Sequence, residues 1–158
     1  MELRLFAGIW AGIHSDESVG EQQVAKQALE FFSFENPGVT DTKARVKLAK
    51  TDFVRAEVQI LGPGGGNNLH THSGNDGFWL VLSGTVRFYG EGPDPVAELG
   101  PMQGALVPHG TKYWFEPGSD EQVELLHVAA RTNAKEDKRV DFAERFRDSA
   151  SLNPLSSL

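Results

Sequence analysis

Hydrophobic and polar residues alternate through the middle of the chain, from about residue 44 to residue 131. The clearest case is residues 53–61, where every second side chain from position 54 is apolar, a pattern that predicts a β-strand. Further short runs lie at residues 45–49, 78–82, 85–89, 96–99, 105–107, 112–116 and 122–130, and glycine or proline separates those that follow residue 61 from one another. Many short strands without intervening helices predict an all-β protein, an antiparallel sandwich or barrel.

The pattern of hydrophobic and polar residues is different at both ends of the chain. A rough helical stripe predicts an N-terminal helix at residues 17–31, and a short C-terminal helix is predicted at residues 142–147, capped by Asp141. Residues 1–14 are rich in apolar side chains, so we expect them to pack on the barrel or on a partner subunit of a homodimer. The predicted divisions are an N-terminal segment and helix (1–43), a barrel (44–131) and a tail (132–158).

Composition and charge narrow the class of protein. The chain has 158 residues and a formal net charge of −7, and this acidic balance argues against a nucleic-acid partner. No apolar stretch approaches the roughly 18 residues that a membrane span needs, so we expect no membrane partner. The chain has no cysteine and its start lacks the features of a secretory leader, so the expected location is cytoplasmic.

His70 and His72 are the strongest candidates for chemistry. Residues two apart in a strand point to the same side, so a strand here would direct both imidazoles at one point, as a metal site requires. Without cysteine, any transition metal must be held by nitrogen and oxygen atoms. The alternative is a pair of solvent-exposed imidazoles on a polar loop.

His127 lies in the last predicted strand, and its alternation with Glu124 places it on the inner face. A buried histidine needs a polar partner. It is therefore either a core histidine bonded to a backbone carbonyl or a third metal ligand.

The order of glycines and histidines resembles the first sequence motif of the cupin family. That motif is a glycine, five residues, His-x-His, three or four residues, a glutamate, six residues and a glycine, and Gly64, His70, His72 and Gly84 match it in register. Residues 108–112 resemble part of the second motif. The resemblance implies an antiparallel jelly-roll barrel, also called a double-stranded β-helix, with one divalent transition metal: Fe, Zn, Ni or Mn.

Two of the four ligands that the resemblance implies are missing. Gly77 stands at the glutamate position and Tyr113 at the position of the third histidine. Asp76, Tyr113 and His127 are the candidates to complete the site, and the sequence leaves the choice among them open.

The resemblance implies a metal-dependent enzyme acting on a small organic molecule inside the barrel, of the dioxygenase, isomerase/cyclase or lyase type. Tyr113 is the candidate general acid or base. Strand parity suggests that Trp79 and Phe115 line the substrate pocket, with Arg87 as an anchor for a carboxylate. The alternative is a non-catalytic small-molecule-binding cupin with a degenerate metal site.

Overall fold

The computed structural model describes residues 28–38, 42–131 and 136–142. This part of the chain is all β and contains ten strands: β1 Lys43–Lys50, β2 Val54–Leu61, β3 His70–His72, β4 Asn75–Ser83, β5 Val86–Tyr89, β6 Pro95–Leu99, β7 Gly104–Val107, β8 Trp114–Pro117, β9 Val123–Arg131 and β10 Arg139–Asp141. In the same residues, no helix is long and apolar enough to cross a membrane.

Most of the predicted N-terminal helix lies outside the described residues. Its last part, residues 28–31, has no regular structure. The predicted C-terminal helix also lies outside them, apart from Phe142, which forms a bend. Asp141, proposed as the cap of that helix, is the last residue of strand β10, which was not predicted.

The strands form three antiparallel sheets. The largest has the order β1-β2-β9-β4-β7, the second has the order β6-β5-β8, and β10 pairs with β3. The predicted antiparallel all-β fold is confirmed.

The turn at Ser83 and Gly84 does not join β4 and β5 into a hairpin. Strand β4 lies in the five-stranded sheet and β5 in the three-stranded one, so the chain changes sheets here. Gly84 has φ +76°, and a Cβ atom built on it would lie 2.6 Å from the carbonyl oxygen of Gln122. Glycine is therefore required both for the backbone conformation and for close packing where the chain passes from one sheet to the other.

The main core lies between the sheets and is rich in aromatic rings, including Trp79, Phe88, Tyr113 and Phe115. A second cluster covers the other side of the large sheet, where Phe34 packs near Val58 and Ile60. Strand β2 is therefore buried on both faces, and this places its polar residues Glu57 and Gln59 in the barrel interior.

Candidate functional site

The two motif histidines lie on β3, which is held between β10 and an isolated bridge from His70 to Tyr113. Their ring centroids are 5.2 Å apart and the ring planes are nearly perpendicular. His70 is 1% exposed, whereas the side chain of His72 is 19% exposed. The pair therefore has a buried member and a member that solvent can reach.

One nitrogen of each ring is already engaged. His70 Nδ1 lies 2.7 Å from the backbone oxygen of Asn68, and His72 Nδ1 lies 2.7 Å from Oδ2 of Asp137. A carbonyl or an ionised carboxylate can only accept, so the Nδ1 atoms donate and the Nε2 atoms carry the free lone pairs. An outer carbonyl or carboxylate on the second ring nitrogen is the usual arrangement around metal-binding histidines.

The surroundings of His70 keep its imidazole ring neutral. Burial, with a smaller contribution from nearby Arg139, lowers the pKa of His70 to about 4. For Asp137, burial opposes ionisation, but the His72 side chain and the Gly74 N–H hold its pKa below the ordinary value. At neutral pH the site therefore contains a neutral His70 and an ionised Asp137.

His127 projects inward from β9, as its strand pattern predicts, and is 6% exposed. Its ring stacks on the indole of Trp79 with centroids 3.9 Å apart. Its Nδ1 lies 3.6 Å from Oε1 of Glu57, an electrostatic contact longer than a hydrogen bond. Burial lowers the pKa of His127 below its ordinary value, although Glu57 acts in the opposite direction.

Glu57 is a functional candidate that the sequence did not reveal. Burial by itself raises its pKa, but His127, Arg45 and Gln59 outweigh that effect and lower the pKa to about 2. The carboxylate meets His127 because the two residues are register partners in the β2–β9 pair. Only a known strand register could have disclosed this contact.

Tyr113 packs against His70 with ring centroids 4.5 Å apart and is 7% exposed. Burial raises the pKa of Tyr113 to about 12, so the side chain is a neutral phenol at physiological pH. Trp79 and Phe115, predicted to line a pocket, are 2% and 0% exposed and pack on each other with centroids 4.8 Å apart. They therefore form much of the barrel core.

Asp76 and Arg87 lie away from the histidine pair. Alternation along β4 turns Asp76 to the opposite side from Gly77, and its Oδ1 accepts hydrogen bonds from the backbone N and Nδ1 of His109, both at 2.8 Å. Arg87 points out of the barrel, where its Nε lies 2.7 Å from Oε2 of Glu98. It borders an open surface pocket of about 280 Å³ rather than the barrel interior.

Residues 57–129 match the family model described as the cupin domain. The resemblance to the cupin family seen in the sequence is therefore confirmed over these residues. No curated protein sequence matches it.

Several solved structures share this fold. The TT1209 protein of Thermus thermophilus is 26% identical, with a TM-score of 0.52 over 63% of this chain and 90% of that one. An RmlC-like cupin from Methanocaldococcus jannaschii is 19% identical, with a TM-score of 0.56 over 66% and 93%. The polyketide cyclase RemF from Streptomyces resistomycificus is 22% identical, with a TM-score of 0.52 over 63% and 72%.

The cupin glutamate position faces His127 and Trp79. A Cβ atom built on Gly77 would lie 3.3 Å from Trp79 Nε1 and 3.4 Å from His127 Nε2. Among the described residues, the indole Nε1 is buried and makes no hydrogen bond of ordinary geometry, although Tyr113 lies close enough to interact with it. A polar donor and an imidazole nitrogen thus converge on a position that has no side chain.

A cupin metal fits this donor set in part. The Nε2 atoms of His70 and His72 suit a divalent transition metal, and their Nδ1 partners are of the expected kind. Among residues 28–38, 42–131 and 136–142, no three His, Asp or Glu side chains are grouped closely enough to hold one ion. His127 and Asp76 therefore do not complete a cluster with the pair.

Proposed function

We propose that this cupin binds one divalent transition metal ion, of the Fe, Zn, Ni or Mn type, through Nε2 of His70 and His72. The observation that carries the proposal is that both Nδ1 atoms are bound to acceptors, which leaves an Nε2 lone pair on each of two rings whose centroids are 5.2 Å apart. Water or oxygen atoms of a small organic substrate would occupy the remaining coordination positions.

A bound divalent ion would supply Lewis acidity toward a substrate oxygen. The chain contributes groups that can hold protons in the barrel interior. Tyr113 carries its proton as a neutral phenol, Trp79 offers a buried indole N–H, and His127 stands next to the ionised Glu57. These groups would orient a substrate and donate or accept a proton, as a cyclase, isomerase or lyase reaction requires. A dioxygenase reaction would need a redox metal at the same position.

A non-catalytic small-molecule-binding cupin is the second candidate. It is favoured by Gly77 and Tyr113, which leave only two nitrogen donors in place of the four cupin ligands. A weakly held metal, or none, would suit a binding module better than an enzyme.

Metal content distinguishes the two candidates. Wild-type protein, His70→Ala and His72→Ala would be examined by elemental analysis and by titration with Zn²⁺ or Co²⁺. We expect one ion per chain in the wild type and at least a tenfold loss of affinity in each variant. His109→Ala is the matched control, because His109 is exposed and lies with Asp76 outside the pair. Wild-type protein that binds neither ion would refute the metal-dependent proposal.

We further propose a homodimer, since Phe78 and Leu106 are register partners on β4 and β7 and are 45% and 70% exposed. Adjacent apolar side chains on the surface of a sheet are typical of contact surfaces. The cytoplasmic location stays a prediction from the absence of cysteine.

A further inference from the structure

A short segment beyond the matched cupin domain lies directly on the histidine strand. This segment, residues 136–142, is called the strap. Its strand β10 pairs with β3, so that Arg139 lies opposite His72 and Asp141 lies opposite His70. Backbone hydrogen bonds at both ends, from Ser73 N to Lys138 O and from Phe142 N to Leu69 O, measure 3.1 and 2.9 Å. The strap is thus anchored along the whole length of β3.

Asp137 fixes the more exposed histidine from the strap. Its Oδ2 lies 2.7 Å from His72 Nδ1, and its Oδ1 accepts a hydrogen bond of 3.0 Å from the backbone N–H of Gly74. Both carboxylate oxygens are engaged, so the carboxylate cannot rotate without breaking a bond. The carboxylate therefore sets both the orientation and the tautomer of His72.

The strap reaches the buried histidine through Asn68, whose backbone oxygen accepts the Nδ1–H of His70. The Asn68 side chain donates to Oδ1 of Asp141 at 2.9 Å and accepts from a terminal nitrogen of Arg139 at 2.6 Å. Arg139 Nε in turn donates to Oδ1 of Asp141 at 2.7 Å. Three side chains bonded to one another thus restrain the residue that holds His70.

We propose that the strap is the positioning element of the histidine pair. Asp137 holds His72, and the network of Arg139, Asp141 and Asn68 holds the carbonyl that orients His70. The consequence for metal affinity rests on the proposed function, but the consequence for ring tautomers does not. Outer carboxylates of this kind typically change metal affinity by about 10- to 100-fold.

The test uses the full chain labelled with ¹⁵N-histidine and the variant Asp137→Asn. An amide has a single acceptor oxygen for two donors, the Nδ1–H of His72 and the N–H of Gly74, so one of them must face an NH₂ group. We expect the wild-type His72 spectrum to show the Nδ1–H tautomer, and D137N to shift it toward the Nε2–H form. Glu136→Gln, an adjacent exposed residue with the same charge change, is the control and should leave the spectrum unchanged.

Arg139→Gln tests the side-chain network that holds His70, and it still tests the proposal if D137N does not fold. It should change the His70 signals and leave those of His72 in place, whereas D137N should do the reverse. In Zn²⁺ or Co²⁺ titrations, D137N should bind about 10- to 100-fold more weakly than wild type and E136Q.

The outcomes separate the two proposals. If wild-type His72 is mainly the Nε2–H tautomer, or if D137N keeps both the wild-type spectrum and the wild-type affinity, the strap proposal is overturned. If the spectra behave as expected but wild-type protein binds neither ion, the strap still positions the rings and only the proposed metal function fails.

Discussion

Replacing Glu57 by glutamine tests the buried carboxylate inside the barrel. Glu57 is 5% exposed, and its Oε1 accepts a hydrogen bond of 2.7 Å from Gln59 Nε2. The same oxygen lies 3.6 Å from His127 Nδ1 and 4.0 Å from Arg45 Nε. Glutamine keeps the shape and one acceptor oxygen but removes the negative charge, so the variant isolates the effect of ionisation.

The expected magnitude follows from the pKa of Glu57. Burial opposes ionisation, but the three neighbours outweigh it and bring the pKa from 4.5 to about 2. At about 1.4 kcal/mol per pH unit, ionisation of this carboxyl contributes about 3 kcal/mol to folding at neutral pH. Because the folded pKa lies below the unfolded one, this contribution is full above about pH 4.5 and is lost as the pH falls toward 2. Near pH 3.5 it should be about 2 kcal/mol.

Urea unfolding of wild type and E57Q, followed by far-ultraviolet circular dichroism from pH 7 to pH 3.5, measures this difference. We expect E57Q to be less stable by about 3 kcal/mol at pH 7, with the gap narrowing by about a third at the acid end. Glu98→Gln removes an exposed carboxylate that pairs with Arg87, and should leave the free energy of unfolding nearly unchanged. A gap that is absent at pH 7, or that does not vary with pH, would refute the assigned ionisation of Glu57.

Three further predictions concern the core, a half-buried lysine and the oligomeric state. Phe115→Ala should lower the free energy of unfolding by about 3–5 kcal/mol in urea, because the ring is fully buried, whereas Phe53→Ala at a 74% exposed position should have little effect. Burial lowers the pKa of Lys43 from 10.5 to about 7, so its charged form is disfavoured in the folded state. The free-energy cost of carrying this charge in the folded state is full below about pH 7 and absent above about pH 10.5. Lys43→Met should therefore raise the melting temperature at pH 6 and change it least above pH 10.5. An equal gain at both pH values would contradict the assignment. Size-exclusion chromatography with light scattering should give twice the chain mass of 17.3 kDa, and a combined Phe78→Arg and Leu106→Arg variant should elute as a monomer; a monomeric wild type would argue against the dimer.

Local patterns determined the elements and the central chemistry. Alternation predicted most strands, because side chains along a strand point to opposite sides in turn and the sequence records that order directly. The same rule placed His70 and His72 together and turned His127 inward. The resemblance to the cupin motifs also located Gly77 and Tyr113 at the positions of absent ligands, since a motif is a local property of the chain.

Tertiary structure decided which side chains meet. Glu57 reaches His127 through the register of two strands far apart in the sequence, and Asp137 reaches His72 across 65 residues. Alternation shows only that neighbouring side chains point to opposite sides of a strand. In β2 and β4 it did not show which side is buried, and so it left open that Asp76 would point outward and Glu57 inward. Those contacts depend on how the sheets pair and pack, which is fixed by burial of the whole core and not by any single stretch of residues.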